Sequence, residues 1–284
     1  MGKFTVLRKK MKKCFIFILL CIFAFIMIFP FLWMLLNSFS SESHIFRLPP
    51  AFWPDLFGTP NMWDNYRTIF KEFNFDRYSI NSLFIATLCG IGQIFTCSLS
   101  GFVFAQMKFR GKNLIFSALL ITLMIPPQVT IIPEYFIVTR LNWLDTYLPL
   151  IVPSFLVGSF GTFMFKEFYE TIPSSLVDAA IIDGAKPFTM YYRVFIPQSG
   201  PQMVTLFIIT FMNNWNDLLR PILYLSDERK QTVTMALTQF QSQYTAKWNL
   251  LLAGGVLSVL PLLLIFVFLQ RFIIQSSVSS GIKG

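Results

Sequence analysis

The sequence predicts an all-α integral membrane protein with six transmembrane helices, on three observations. Of its 284 residues, 55% are hydrophobic and only 13% are charged, where soluble domains carry about a quarter charged. Predominantly apolar stretches of about 20 residues, long enough to cross the hydrocarbon core as helices, recur six times along the chain. The net charge of +9 is gathered at a few junctions between those stretches and forms no continuous basic face, which orients a membrane protein and excludes a nucleic-acid binder.

The first stretch runs from Cys14 to about Leu36, behind Arg8, Lys9, Lys10, Lys12 and Lys13. It is longer than the apolar core of a signal peptide and lacks a small-residue cleavage site after it, so it reads as an anchor. The others lie near Ile80 to Gln106, Leu114 to Val138, Tyr147 to Phe165, Gln202 to Tyr224 and Leu250 to Leu269. Orientation follows from the basic residues, which stay on the cytoplasmic side. The N-terminal tail, the turn carrying Lys108, Arg110 and Lys112, the segment with Lys166, Lys186 and Arg193, and the C-terminal end with Arg271 and Lys283 all fall on that side. Both termini are therefore expected in the cytoplasm. The loop from Asn37 to Tyr78, with Pro49, Pro50, Pro54 and Pro60, is expected outside. In the last outer loop Arg229, Lys230 and Lys247 run against the rule.

Pro126 and Pro127 interrupt the third stretch, Pro149 and Pro153 the fourth, and Pro261 the sixth. Such breaks are tolerated where neighbouring helices or water satisfy the freed carbonyls, so they point to a cavity or a moving seam, with kinking for packing as the plainer reading. Catalysis finds no support. Gly111-Lys112 lacks the first glycine of a phosphate-binding GxxxxGK[ST] loop, because Gln106 stands there. No HExxH or GxSxG occurs, and His44 is the sole histidine. Cys14, Cys21, Cys89 and Cys97 sit in apolar stretches without CxxC spacing, so neither a metal site, a disulfide framework nor any other cofactor is expected.

The most informative segment is cytoplasmic, residues 172–201. Pro173, Ser175 as a cap and Asp178 in capping-box spacing mark a helix start. Gly184 marks its stop, and Pro187 suits the first turn of a second helix. At a period of 3.6, Val177, Ala180, Ile181 and Gly184 share one face, an apolar stripe that a short helix cannot bury by itself. An interfacial amphipathic helix would need a Lys/Arg-rich polar face. Here Asp178 and Asp183 stand instead, which favours a protein partner.

Asp178-Ala179-Ala180, Gly184 four positions on, and then Val194, Ile196 and Pro197 resemble the EAA loop of ABC importer permeases, whose pattern is E-A-A, three residues, G, nine residues, I-x-L-P. Asp178 keeps the charge of the usual Glu on a shorter arm. Further stretches resemble the MalG-like branch of carbohydrate importer permeases: Phe29 to Trp33, Asn81 to Leu83, Ile125 to Gln128, Trp215-Asn216-Asp217, Leu260-Pro261, and Gly281 to Gly284. The resemblance implies a type I ABC importer permease fold in the cell membrane. It divides the chain into residues 1–75 (tail, first helix and outer loop), a transmembrane core at 76–270 and a cytoplasmic tail at 271–284. It implies coupling residues Asp178, Ala179, Ala180, Ile181, Gly184, Pro197 and Lys283. The implied partners are an ATP-binding subunit dimer, a second homologous permease and an extracellular solute-binding protein, with a sugar or oligosaccharide, or another small solute, as cargo.

An ion-coupled secondary transporter would need ionisable groups within the membrane. Few are offered: Glu134 and Asp217 lie toward expected outer ends, with Arg140 and Arg220 near enough to pair with them. A channel would need a filter-like ring motif, which is absent. Sugars present hydroxyls for hydrogen bonding and apolar faces for stacking on rings. Trp215 and Asn216, with the adjoining Asp217, are the candidate substrate contacts on that ground, and packing at a helix end is their other reading.

Overall fold

The computed structural model describes residues 2–48, 63–241 and 247–281, with side chains over 10–48, 63–241 and 247–271. Among these the regular elements are helical. In order they are α1 (Gly2–Asn37), α2 (Glu42–Ile45), α3 (Asp64–Glu72), α4 (Phe75–Gln106), α5 (Lys112–Ile121), α6 (Pro127–Arg140) and α7 (Leu148–Ile151). There follow α8 (Ser159–Glu170), α9 (Ser174–Ile182), α10 (Pro187–Met190), α11 (Ile196–Gln198) and α12 (Gly200–Trp215). The last three are α13 (Leu219–Tyr224), α14 (Val233–Gln239) and α15 (Trp248–Gly281).

Four stretches are long and apolar enough to cross a membrane: Lys10–Asn37, Phe75–Gln106, Leu148–Glu170 and Trp248–Arg271. Two more are bent pairs, so the expected six crossings are reached if each pair counts as one. The third expected span is not a continuous helix. Lys112–Met124 and Pro127–Arg140 meet at 103°, because consecutive prolines force the residues before them out of the helical region. Ile125 (ψ 115°) and Pro126 (ψ 136°) are both extended. The fifth expected span also differs: α12 ends at Trp215. Asp217 Oδ1 then accepts the backbone N–H groups of Leu219 and Arg220 at 3.1 and 3.4 Å, so a carboxylate competing for backbone donors opens the separate helix α13.

The chain divides into two compact units. The first comprises residues 1–75 and 237–260. Its polar knot joins the C-terminal end of α1 to α3, where Ser38 Oγ and Tyr66 OH lie 2.6 Å apart and Asn65 Nδ2 donates to the carbonyls of Ser38 and Ser40. Asn249 Nδ2 adds a bond of 2.7 Å to Asn65 Oδ1. None of the apolar window of α1 is buried among the described residues, which leaves it an apolar surface suited to lipid or another subunit.

The second unit comprises residues 76–236 and 261–284. Its centre is a seam of small residues between α4 and α8. Ser100 Oγ meets Thr162 Oγ1 at 2.6 Å, a kind of interhelical bond that averages about 0.6 kcal/mol in membrane proteins. A Cβ built at Gly101 would stand 2.5 Å from Phe165 Cβ and 3.0 Å from the Lys166 backbone nitrogen. Only glycine permits that approach. The breaks around Pro149 and Pro153 release carbonyls that α4 takes up: Gln93 Nε2 donates to Ser154 O at 2.9 Å, Thr96 Oγ1 to Leu156 O at 3.1 Å, and Cys89 Sγ to Leu150 O at 3.3 Å. Irregular backbone at this depth persists because a neighbouring helix satisfies it.

At the expected outer face of this unit, Lys230 Nζ lies 2.9 Å from Asp145 Oδ2, with Asp227 Oδ2 at 3.9 Å. A lysine that ran against the orientation rule is thus paired. The Asp227 N–H, then the Lys230 ammonium, hold the Asp145 carboxyl below the usual carboxylate range. A depressed native pKa adds stability above the unfolded value of about 3.9, and that stability disappears as pH falls through the native value. Asp145→Asn is accordingly expected to lower the thermal midpoint at pH 7. The gap from the parent chain should close below about pH 4, and a gap unchanged by pH would refute the assignment.

Candidate functional site

Between α4, α6, α8 and α12 the second unit encloses a cleft of about 420 Å³, within the size range of small-molecule sites. Its lining is rich in amides and hydroxyls: Gln93, Ser154, Thr210, Asn213 and Asn214 all face it. Thr210, Asn213 and Asn214 come from the last turns of α12, and Gln93 is the same side chain that caps the broken backbone before α8. One ion pair stands in the wall. Arg220 donates from Nε and Nη2 to the two oxygens of Glu134, at 3.2 and 3.3 Å, and its Nη1 lies 3.8 Å from Asp217 Oδ2. Thr130 adds a hydroxyl bond of 2.8 Å to Glu134 Oε1.

The segment at residues 172–201 contains the helix, turn and helix expected. α9 ends in a Schellman motif, with the N–H of Ala185 on the carbonyl of Ala180 and the N–H of Gly184 on that of Ile181, both at 2.9 Å. Gly184 takes φ +75°, and a Cβ there would meet nothing within 4 Å. Lys186 is extended before Pro187, which opens α10. The cap differs from expectation. Ser175 lies inside α9, whose N-cap is Pro173 with no side-chain bond. Ser175 stands at the second helical position, past the N-cap site from which a hydroxyl can bond the first-turn N–H groups.

The apolar stripe also divides. Val177 and Ala180 pack against a buried cluster that includes Phe102, Phe165, Tyr169, Tyr191, Phe195 and Leu206. Asp178, Ala179, Ile181, Asp183 and Gly184 are exposed, and Ile182 is 85% exposed. The helix therefore has an inner face seated on its own chain and an outer face left open. The cluster beneath is aromatic, with Tyr169 and Phe195 edge to face at 5.1 Å and Ser98 bonded to Tyr191 OH at 2.7 Å. A π-helical turn, Tyr191–Phe195, precedes Pro197, which is exposed at the 78° bend into α12. Leu206 belongs both to the cluster and to the wall of the cleft.

Of the candidate substrate contacts, Trp215 is 2% exposed and stacks on Phe211 at 5.6 Å. Asn216 is exposed and bonds back to Met212 O, and Asp217 stands behind Arg220. None of the three lines the cleft. The α12 amides that do are Asn213 and Asn214, one turn earlier, whose presence in an otherwise apolar run was the available signal. Lys283 lies outside the described residues.

Comparison with known proteins agrees with this architecture. The arabinooligosaccharides transport system permease protein AraQ of Halalkalibacterium halodurans is 29% identical, over 92% of this chain and 93% of that protein. The lactose transport system permease protein LacG of Rhizobium radiobacter is 28% identical, over 97% and 98%. A crystal structure of a bacterial ABC transporter involved in import of the acidic polysaccharide alginate matches with a TM-score of 0.78 at 18% identity, over 94% of this chain and 98% of that one, a likeness of fold. The description "binding-protein-dependent transport system inner membrane component" matches residues 98–277, a range that holds α9, the Gly184 turn and most of the cleft. The chain is a multi-pass membrane protein and belongs to the family of binding-protein-dependent transport system inner membrane components.

Proposed function

We propose that this chain is one of two permease subunits of an ATP-driven importer for a sugar or oligosaccharide, and that the exposed face of α9 docks on a separate ATP-binding subunit. The observation that carries this reading is the division of α9 into a seated face (Val177, Ala180) and an open one (Asp178, Ala179, Ile181, Ile182) ending at Gly184. A helix so placed transmits force: ATP-driven closure of the partner displaces its open face, and the seated face passes the displacement to the aromatic cluster. Through Leu206 that cluster reaches the cleft, whose access then switches between the two sides of the membrane. Pro197 is the stiff bend at which the coupling segment joins α12. The amides of Asn213, Asn214 and Gln93 supply donors and acceptors matched to sugar hydroxyls.

Hydrolysis is expected only in the assembly. The purified chain should show no ATPase activity, which should appear on adding the ATP-binding subunit and a companion permease. Turnover by the isolated chain would contradict the proposal. In the same reading both termini are cytoplasmic, so a reporter fused at Lys112 should signal from the cytoplasm, and an external signal would overturn the orientation.

A further inference from the structure

We infer that the cleft is selective for uncharged saccharides and rejects anionic ones, with Glu134 as the residue that sets this preference. The inference rests on the cleft being the substrate path. Among the described residues, Glu134 and Arg220 are the only ionisable side chains in its lining. Arg220 donates from Nε and Nη2 to Glu134, and its Nη1 lies 3.8 Å from Asp217 Oδ2, within ion-pair but not hydrogen-bond range. The fork formed by Nε and Nη2 is therefore already occupied by Glu134 and cannot clasp an incoming carboxylate or phosphate in the same bidentate way. One cation against two carboxylates also leaves a net negative charge beside the cleft, which repels an anion in a partly desolvated site. The neutral lining, Gln93, Ser154, Thr210, Asn213 and Asn214, offers mixed donors and acceptors that suit hydroxyls. The relatives do not decide the matter, because lactose is neutral and alginate acidic.

The test uses the assembled transporter in nanodiscs at low salt, without binding protein, and reads saturation transfer to lactose, arabinotriose and digalacturonate. The parent complex is expected to bind at least one neutral sugar and to bind digalacturonate about tenfold more weakly or worse. Glu134→Gln frees one side of Arg220 with little change of shape, so it should raise digalacturonate binding about tenfold, an increase that salt removes. Asn213→Lys places a new cation in the lining without touching the pair. It should shift the preference the same way, which covers failure of the first variant to fold. Equal binding of neutral and anionic sugars by the parent complex would overturn the inference and leave the substrate path standing. So would variants that weaken both ligand classes alike, the signature of a purely structural ion pair. Binding of none of the three sugars would remove the cleft from the substrate path and overturn both.

Discussion

Gly184→Val is expected to yield a permease that inserts and accumulates almost normally but does not transport and no longer retains its ATP-binding subunit. The backbone at this position has φ +75°, a region that a β-branched residue enters only at a cost of about 1 kcal/mol or more. A new side chain meets nothing of its own chain within 4 Å, so overpacking adds no penalty to the isolated subunit. The damage falls on the Schellman turn and on the open face beyond it. A shifted turn withdraws Ile181 and Ile182 from a partner, and the added isopropyl group occupies the space that the partner would fill. Asp183→Ala adds no bulk and asks for no new backbone angle, so it should do less. Uptake and ATPase co-purification measured side by side check both variants. Normal transport by Gly184→Val with the ATPase still bound would show that this turn is not the coupling element.

The opposite outcome is expected at Gly101. There a Cβ would overlap Phe165 Cβ and crowd the Lys166 backbone, and a helix backbone cannot swing aside as a side-chain tip can. Gly101→Val therefore forces α4 and α8 apart. It strains the Ser100 to Thr162 bond and loosens the helix that supplies Gln93 and Thr96 to the broken backbone. Overpacking of this kind costs about 1–3 kcal/mol, and a rigid seam sits at the upper end. Loss of folded protein is the expected result, read as detergent-soluble monodisperse yield. Gly200, with nothing within 4 Å of its built Cβ, is the matched control: Gly200→Ala should be tolerated. Equal yields from the two variants would refute the close-packed seam.

Much of the architecture was legible because bilayer thickness and backbone satisfaction constrain so few arrangements. Unbroken apolar length located the first, second and sixth spans, and the proline pairs marked where backbone would be irregular. Periodicity could not foresee the 103° turn at Pro126 and Pro127, because hydropathy is blind to direction. Nor could it foresee the end of α12 at Trp215, since Leu218, Ile222 and Leu223 keep the run apolar while Asp217 redirects the backbone. At the candidate site, Gly184 and Pro187 were readable from local chemistry. The seating of Val177 and Ala180 was not: a stripe on a helical wheel looks the same whether its own chain or a partner covers it. The cleft was hidden for a related reason. Its lining gathers Gln93, Glu134, Ser154, Asn213 and Arg220 from distant segments, and each alone reads as a stray polar residue in an apolar run.

The central claim, that the open face of α9 contacts an ATP-binding subunit, is tested most directly by cross-linking. With the four native cysteines replaced by serine or alanine, a cysteine at Ala179 probes the middle of the exposed face. In the assembled transporter, Ala179→Cys should cross-link to the ATP-binding subunit in high yield, and the yield should change when ATP is bound. The same reagent at Ala180→Cys, on the seated face, should give little. Failure of Ala179→Cys to cross-link in a complex that still transports, or equal yields from the two positions, would contradict the account.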